Sequence, residues 1–279
     1  MFNEAQYQKN PKYICSSTYF KILYYYNKNE VDSVSKLVNY VKPIAERMEF
    51  FRLYFNAQKL LIYTYTYKEK YEYAINESLK MLEKAEELNN TDGRIAAYSC
   101  LASAYHETNR TKEEGEALRK AHKYVSEQTT SSTQFNVLNQ LIVFSKDQKD
   151  YSSLKTYLKE NKQLLQKMLS LDPDMYESYF NLYLFSEIFQ TYYYTGIGKI
   201  DSAKYHIEEA QDFITPQSYI PYMALYYDAS AEYYRHTKDY QAALLYIDSA
   251  LIKMKQFESA QMELSLIHIS EPTRLDVIS

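Results

Sequence analysis

Apolar and small residues recur at three- and four-residue steps along most of the chain, the spacing that gathers them on one face of a helix. Val31, Val34, Val38 and Val41 form one such row. Tyr71, Ala74, Ser78 and Leu82 form a second, with Glu and Lys filling the opposite side. Tyr240, Ala243, Ile247 and Ala250 form the cleanest. Short polar turns separate the rows, among them Asn89-Asn90-Thr91-Asp92-Gly93 and Thr195-Gly196-Ile197-Gly198-Lys199. Thr91 or Asp92 is the expected cap of the helix that follows the first turn. Pro43 is expected to kink or end its helix. Gly115 sits inside another, where glycine costs about 1 kcal/mol against alanine, and points to a closely approaching neighbour.

The pattern returns at a fixed interval. Tyr25, Tyr65 and Tyr105 share one phase, continued by Ser145, Tyr194 and Tyr234. In the following helix the matching residues are Val34, Ala74, Glu114, Leu154, Ala203 and Ala243, with steps of 40, 40, 40, 49 and 40. A constant period marks a stack of similar units. Six helix pairs are predicted, at about 13–45, 47–88, 92–126, 132–170, 174–213 and 219–256, in an all-α fold. The long step is assigned to a longer first helix at about 174–195, opened by Pro173. Residues 1–10 read as a frayed remnant, 11–257 as the repeat domain, and 258–263 as the start of a seventh unit.

Composition agrees with long helices and short loops: 279 residues hold only 4 Gly and 6 Pro. The net charge of −4 is spread over interleaved acids and bases, so no face is basic enough for a phosphate backbone, and no nucleic-acid partner is expected. Tyrosine is the outlier at 33 residues; it buries ring area while its hydroxyl reaches a polar partner. Cys15 and Cys100 fall in different units at apolar helix positions and read as small buried thiols. The best apolar run, Leu60 to Tyr65, is far short of the roughly 20 residues a bilayer needs. Met1-Phe2-Asn3-Glu4 lacks the charged and apolar regions of a secretory leader.

Residues 264–279 break the pattern. Leu264 to Arg274 resemble the translation of a transposon-type library adapter. Leu275-Asp276-Val277 fill the space of an index, and Ile278-Ser279 resume the adapter frame. This stretch is therefore expected to be a non-native tail on a chain cut near Glu263, with a membrane helix or output domain expected beyond the cut.

The polar residues form no pattern that catalytic chemistry would need. His106, His122, His206 and His236 show no partner at zinc-ligand spacing and read as exposed helix positions. Glu113-Glu114 and Glu208-Glu209 are adjacent on helices, point about 100° apart and cannot flank one bond together. Gly196-x-Gly198-Lys199 lacks a preceding strand and the wider glycine pattern of a phosphate loop. No enzyme activity, metal or cofactor is expected.

The phased residues resemble the tetratricopeptide repeat. Tyr98, Leu101, Ala102, Tyr105, Leu118 and Ala121 match its signature in the third unit. Tyr227, Ala231, Tyr234, Tyr240, Ala243, Ile247 and Ala250 match it in the sixth. The period exceeds the family's usual 34 residues, which leaves HEAT-like and other helical-hairpin solenoids as alternatives. The resemblance implies a right-handed superhelical solenoid with a concave face lined by the first helix of each pair. Carried over position by position, it places Tyr19, Tyr26, Asn56, Lys59, Tyr63, Ser99, His106, Asn136, Asn139, Asp228 and Arg235 along that groove. The five-residue clamp that some members use for a C-terminal carboxylate is not reproduced. A protein or peptide ligand is implied, with no nucleic-acid or membrane contact by this segment. The tyrosine-rich, long-period style resembles the arrays of bacterial signalling proteins, so an extracytoplasmic sensor region is expected. A cytosolic peptide-responsive regulator and a plain assembly scaffold are the alternatives.

Overall fold

A computed structural model describes residues 10–171, 179–215 and 218–270, with side-chain surroundings to Phe257. Its described residues form twelve α-helices and no strand. The chain divides into two compact units, Met1–Thr129 and Thr130–Ser279. The first contains α1 (Pro11–Asn27), α2 (Val31–Arg47), α3 (Phe51–Tyr67), α4 (Tyr71–Glu87), α5 (Thr91–Glu107) and α6 (Thr111–Tyr124). The second contains α7 (Ser131–Asp147), α8 (Tyr151–Leu171), α9 (Phe180–Gly196), α10 (Ile200–Asp212), α11 (Ile220–His236) and α12 (Tyr240–Ser270). Each unit is a stack of three antiparallel hairpins, as the repeat predicted.

The turns explain the period. Asn29, Glu49, Glu69, Asn89 and Asn109 all have positive φ and stand 20 residues apart. Around Asn29, the Glu30 N–H donates to the Tyr25 carbonyl at 3.0 Å and the Asn29 N–H to the Tyr26 carbonyl at 2.9 Å. This is the Schellman arrangement, which satisfies the last carbonyls of a helix. The same pair of bonds recurs at each of these turns, and again around Lys149, Gly198 and Lys238. The last residue of each turn is also the first cap of the next helix, so helix ends and starts share three residues. Tyr25, Tyr65, Tyr105, Ser145, Tyr194 and Tyr234 are the residues whose carbonyls receive the longer bond. Nine residues on come Val34, Ala74, Glu114, Leu154, Ala203 and Ala243, whose N–H groups make the first bond of the following helix. The 40-residue phase in the sequence is thus two 20-residue steps in the first unit.

The second helix of each hairpin buries one row in constant register. Val34, Val38, Val41 and Ala45 in α2 correspond to Ala74, Ser78, Met81 and Ala85 in α4, all fully buried. Leu154, Leu158 and Leu165 repeat the row in α8, and Ala203, Ile207 and Ala210 in α10. Of these, Leu154, Leu158, Ala203, Ile207 and Ala210 pack with Leu184, Phe185, Ile188 and Phe189 of α9, whereas Leu165 packs with Phe135, Leu138 and Leu164. Each of these large side chains contributes on the order of 1.5–3 kcal/mol by leaving water.

Several details differ from the sequence expectation. The cap of α5 is Asn90, whose side chain accepts from the Gly93 N–H at 2.7 Å; Thr91 already lies in the helix because Asn89 and Asn90 complete the shared turn. Pro43 does not end α2, which continues to Arg47. Pro43 and Asn39 both face solvent, so water can serve the carbonyl that the proline leaves unbonded. The added length near 171 is not seen in α9, whose described helix has the usual 17 residues; α8 is longer, at 21. Pro173 lies outside the described residues, as do residues 1–9 of the N-terminal remnant and residues 271–279 of the anomalous tail. The backbone of α12 is continuous through 258–263.

Candidate functional site

Within each unit the first helices of the hairpins pack on one another: α1 on α3 and α3 on α5, then α7 on α9 and α9 on α11. The second helices make no comparable contact with each other. The first helices therefore form the inner wall of each unit, and every residue assigned to a groove lies on one of them.

In the first unit that wall is aromatic and hydroxyl-rich. Tyr19 of α1 and Asn56 of α3 meet at a pocket of about 410 Å³, completed by Lys12, Cys15, Arg52 and the rings of Phe50 and Phe51. Burial raises the Tyr19 hydroxyl above its ordinary pKa, and the nearby Arg52 charge opposes it. Tyr26 and Tyr63 lie seven residues beyond Tyr19 and Asn56, two turns along the same helix faces. There the Tyr26 and Tyr67 rings lie 5.9 Å apart, and their hydroxyls 3.4 Å. The Tyr63 hydroxyl bonds the Cys100 thiol of α5. Burial pushes Tyr63 well above the phenol range, reinforced by Cys100. Burial also drives Cys100 up to about 12, although Lys59 and the Tyr63 bond pull it down. Cys100 is thus an inert, buried thiol, as the sequence suggested, and not a nucleophile. Ser99 is only 3% exposed and presents nothing to a groove, because α5 is covered on that side. His106 bridges to the second helix of its own hairpin, with its Nδ1 3.1 Å from Glu114 Oε1.

In the second unit the wall is more acidic. The Tyr192 hydroxyl donates to Asp228 Oδ2 at 2.5 Å, tying α9 to α11. Lys146 of α7 lies over the Tyr192 ring, 4.9 Å from its centroid. Burial raises the Tyr192 pKa well above the phenol range, and the Asp228 carboxylate adds to it. Arg235 is exposed and lies 3.9 Å from Glu232 on its own helix. Asn139 faces α8 and accepts from Asn161 at 3.2 Å, while Asn136 is exposed.

Sequence reasoning missed the partners that organise these faces: Arg52, Tyr67 and Cys100 in the first unit, Tyr192 and Lys146 in the second. Their spacing to the repeat signature marks a helix position but not which side chain crosses to the next helix. His206 was also read as exposed. It is half-buried, stacked on Tyr194 with centroids 5.1 Å apart, and its Nδ1 lies 2.5 Å from Glu187 Oε2. No group of three or more His, Cys, Asp or Glu able to hold a metal ion occurs among the described residues. No described helix is long and apolar enough to cross a membrane.

The stacked hairpins and their inner walls define an all-α helical-repeat protein, a fold suited to protein interaction. Among solved structures the chain is similar to BtubC (BKLC) from P. vanneervenii, with a TM-score of 0.61 over 83% of this chain and 92% of that one. At 18% identity this likeness shows the fold alone. No family model matches the chain, and no curated protein matches its sequence.

Proposed function

We propose that this chain is a non-catalytic module of the tetratricopeptide type that binds a peptide or protein segment along its inner walls. It would act as the recognition or sensing part of a bacterial signal-transduction or regulatory protein. The observation that carries the binding reading is the convergence of Tyr19 and Asn56, from separate helices, on the pocket between α1 and α3. Two turns further along these helices the Tyr26 and Tyr67 rings lie side by side, with their hydroxyls 3.4 Å apart. Rings bury large area at low entropy cost, and amide and hydroxyl groups match the backbone of an extended segment. The sensing role rests on the tyrosine-rich, long-period style of the repeats alone.

A random-sequence peptide array probed with the full chain tests the binding reading. Wild type and an outer-face variant, Arg119→Ala, should retain the same peptides, and Tyr19→Ala with Asn56→Ala should lose them by at least about ten-fold in affinity. Retention by the inner-wall variant, or equal loss by the outer-face variant, would move binding away from this face.

A further inference from the structure

Tyr26 and Tyr67 face each other where two neighbouring first helices end. Tyr26 lies in the last turn of α1, and Tyr67 closes α3. Their backbones are fixed by the shared turns: the Asn29 N–H donates to the Tyr26 carbonyl at 2.9 Å, and the Lys70 N–H to the Tyr65 carbonyl, also at 2.9 Å. The two rings lie 5.9 Å apart and are inclined by 48°, with the hydroxyl oxygens 3.4 Å apart. Tyr67 is 61% exposed and Tyr26 is half-buried, so a reagent in solution reaches the pair. The repeat sets no second phenol pair in this register. The Tyr26 position holds Thr66, His106, Lys146, Thr195 and Arg235 in the later first helices. The Tyr67 position holds Asn27, Glu107, Asp147, Gly196 and His236 in the others. Other tyrosine contacts differ in kind: Tyr24–Tyr25, Tyr193–Tyr194 and Tyr233–Tyr234 are sequence neighbours on one helix, set edge to face at 66° to 78°.

We propose that this pair is an oxidative modification site, at which a one-electron oxidant joins Tyr26 to Tyr67 by a carbon–carbon bond. The oxidant class is a haem peroxidase driven by hydrogen peroxide. Each phenol gives up its hydroxyl hydrogen, as one electron and one proton, and becomes a phenoxyl radical. The two electrons and two protons reduce one peroxide to two waters. The unpaired spin of each phenoxyl spreads to the ring carbons beside the oxygen, Cε1 and Cε2. One such carbon from each ring contributes its electron to the new bond. The hydrogens on those carbons then pass through solvent to the two oxygens, which restores both phenols. The product holds its hydroxyls side by side across the new bond, the relation these two hydroxyls already have. Rotation of the exposed Tyr67 side chain brings the ring edges together. The neighbouring Cys100 thiol is fully buried and does not meet a protein-sized oxidant. The bond ties the first hairpin to the second through residues 41 apart, and like a disulfide it removes freedom from the unfolded chain.

Treatment of the full chain, at low micromolar concentration, with a haem peroxidase and hydrogen peroxide tests the proposal. The monomer is recovered by size exclusion in denaturant, digested and read by mass spectrometry. A peptide pair that joins Tyr26 to Tyr67 and is lighter by two hydrogens should be the main intramolecular product, with the blue fluorescence of linked phenols. Tyr26→Phe and Tyr67→Phe should each lose that pair and most of the monomer's fluorescence. Tyr24→Phe, which alters an exposed phenol two residues away, should keep both. Circular dichroism establishes that each variant is folded, and the peptide assignment in wild type stands whether or not it is. A treated monomer without linked tyrosines would overturn the proposal. So would links confined to the stacked pairs Tyr65–Tyr73 or Tyr234–Tyr246, or fluorescence that Tyr24→Phe lowers as far as Tyr26→Phe does.

Discussion

The two units use one building step with different fidelity. From α1 to α6 every helix-to-helix turn is the same three-residue Schellman turn, and positive φ returns every 20 residues from Asn29 to Asn109. The next turn on that frame falls at Thr129, and there the device is absent. The α6 helix stops at Tyr124, Val125 is extended with ψ 132°, and Thr129 bonds back to Ser126 instead. The boundary between the compact units falls at Thr129/Thr130. Beyond it the turn appears within each hairpin, at Lys149, Gly198 and Lys238, but not between hairpins among the described residues. The comparison teaches that the period is held by turn chemistry: a helix that ends in this way is followed by the next after three shared residues. The two inner walls differ as well, with a tyrosine and thiol cluster in the first and a tyrosine–carboxylate pair in the second.

Alkaline titration should separate the halves most strongly. Cys100 and Tyr192 are neutral in the fold, and burial raises the pKa of both. The stabilising contribution of each is therefore complete below the unfolded value and declines as pH climbs toward the folded one. For Cys100 in the first unit that decline starts from 9.0 and runs to about 12. For Tyr192 in the second it starts only from 10.0. Hydrogen exchange against pH should show the first unit weakening about one pH unit earlier, and Cys100→Ala should narrow that lead to what Cys15, also raised from 9.0 by burial, contributes. Equal onset in wild type would contradict the burial of the thiol.

Packing at glycines comes next in size. A Cβ on Gly93 would stand 2.6 Å from the Phe55 ring and 2.9 Å from the Ala85 Cβ, both held in the first core. Gly93→Ala should cost about 2 kcal/mol or more in denaturant melts, despite the better helix propensity of alanine. On Gly196 the nearest atoms a Cβ would meet are at the far end of the Tyr151 ring. Tyr151 is half-buried and can swing, so Gly196→Ala should cost less than about 1 kcal/mol. The reverse order would mean that the first unit is the looser of the two.

Smaller effects probe the turns. Asn90→Ala removes the cap on Gly93 N–H and should cost about 1 kcal/mol. Glu69→Gly and Lys149→Gly relieve positive φ at 56° and 54° and should each add about 0.5–1 kcal/mol. Gly198→Ala, at φ 74°, should lose a similar amount. Thermal melts that show no gain at Glu69 or Lys149 would mean those turns are not held as described.

Much of this was legible in the sequence because the signals were local and repeated. The rows Val34 to Val41 and Ala243 to Ala250, and the Tyr25 and Tyr65 phase, announced an all-α fold of repeated hairpins. The 20-residue frame was hidden because its key positions are Asn, Glu and Lys, where glycine would have announced a left-handed turn. The site was legible only by position. Tyr19 and Asn56 could be placed on one face, but the crossing of Tyr63 to Cys100, or of Tyr192 to Asp228, depends on side chains from helices 36 or 37 residues apart. Ser99 and His206 went astray for the same reason, since a helix row does not say which neighbour covers its edge.

The most direct test of the account is hydrogen exchange by mass spectrometry on the full chain, with and without the best array peptide. The account predicts added protection in α1 and α3, centred on the pocket and the Tyr26–Tyr67 surface, with α2 and α4 unchanged. Protection confined to α2, α4 or α6 would contradict it and place recognition on the outer helices.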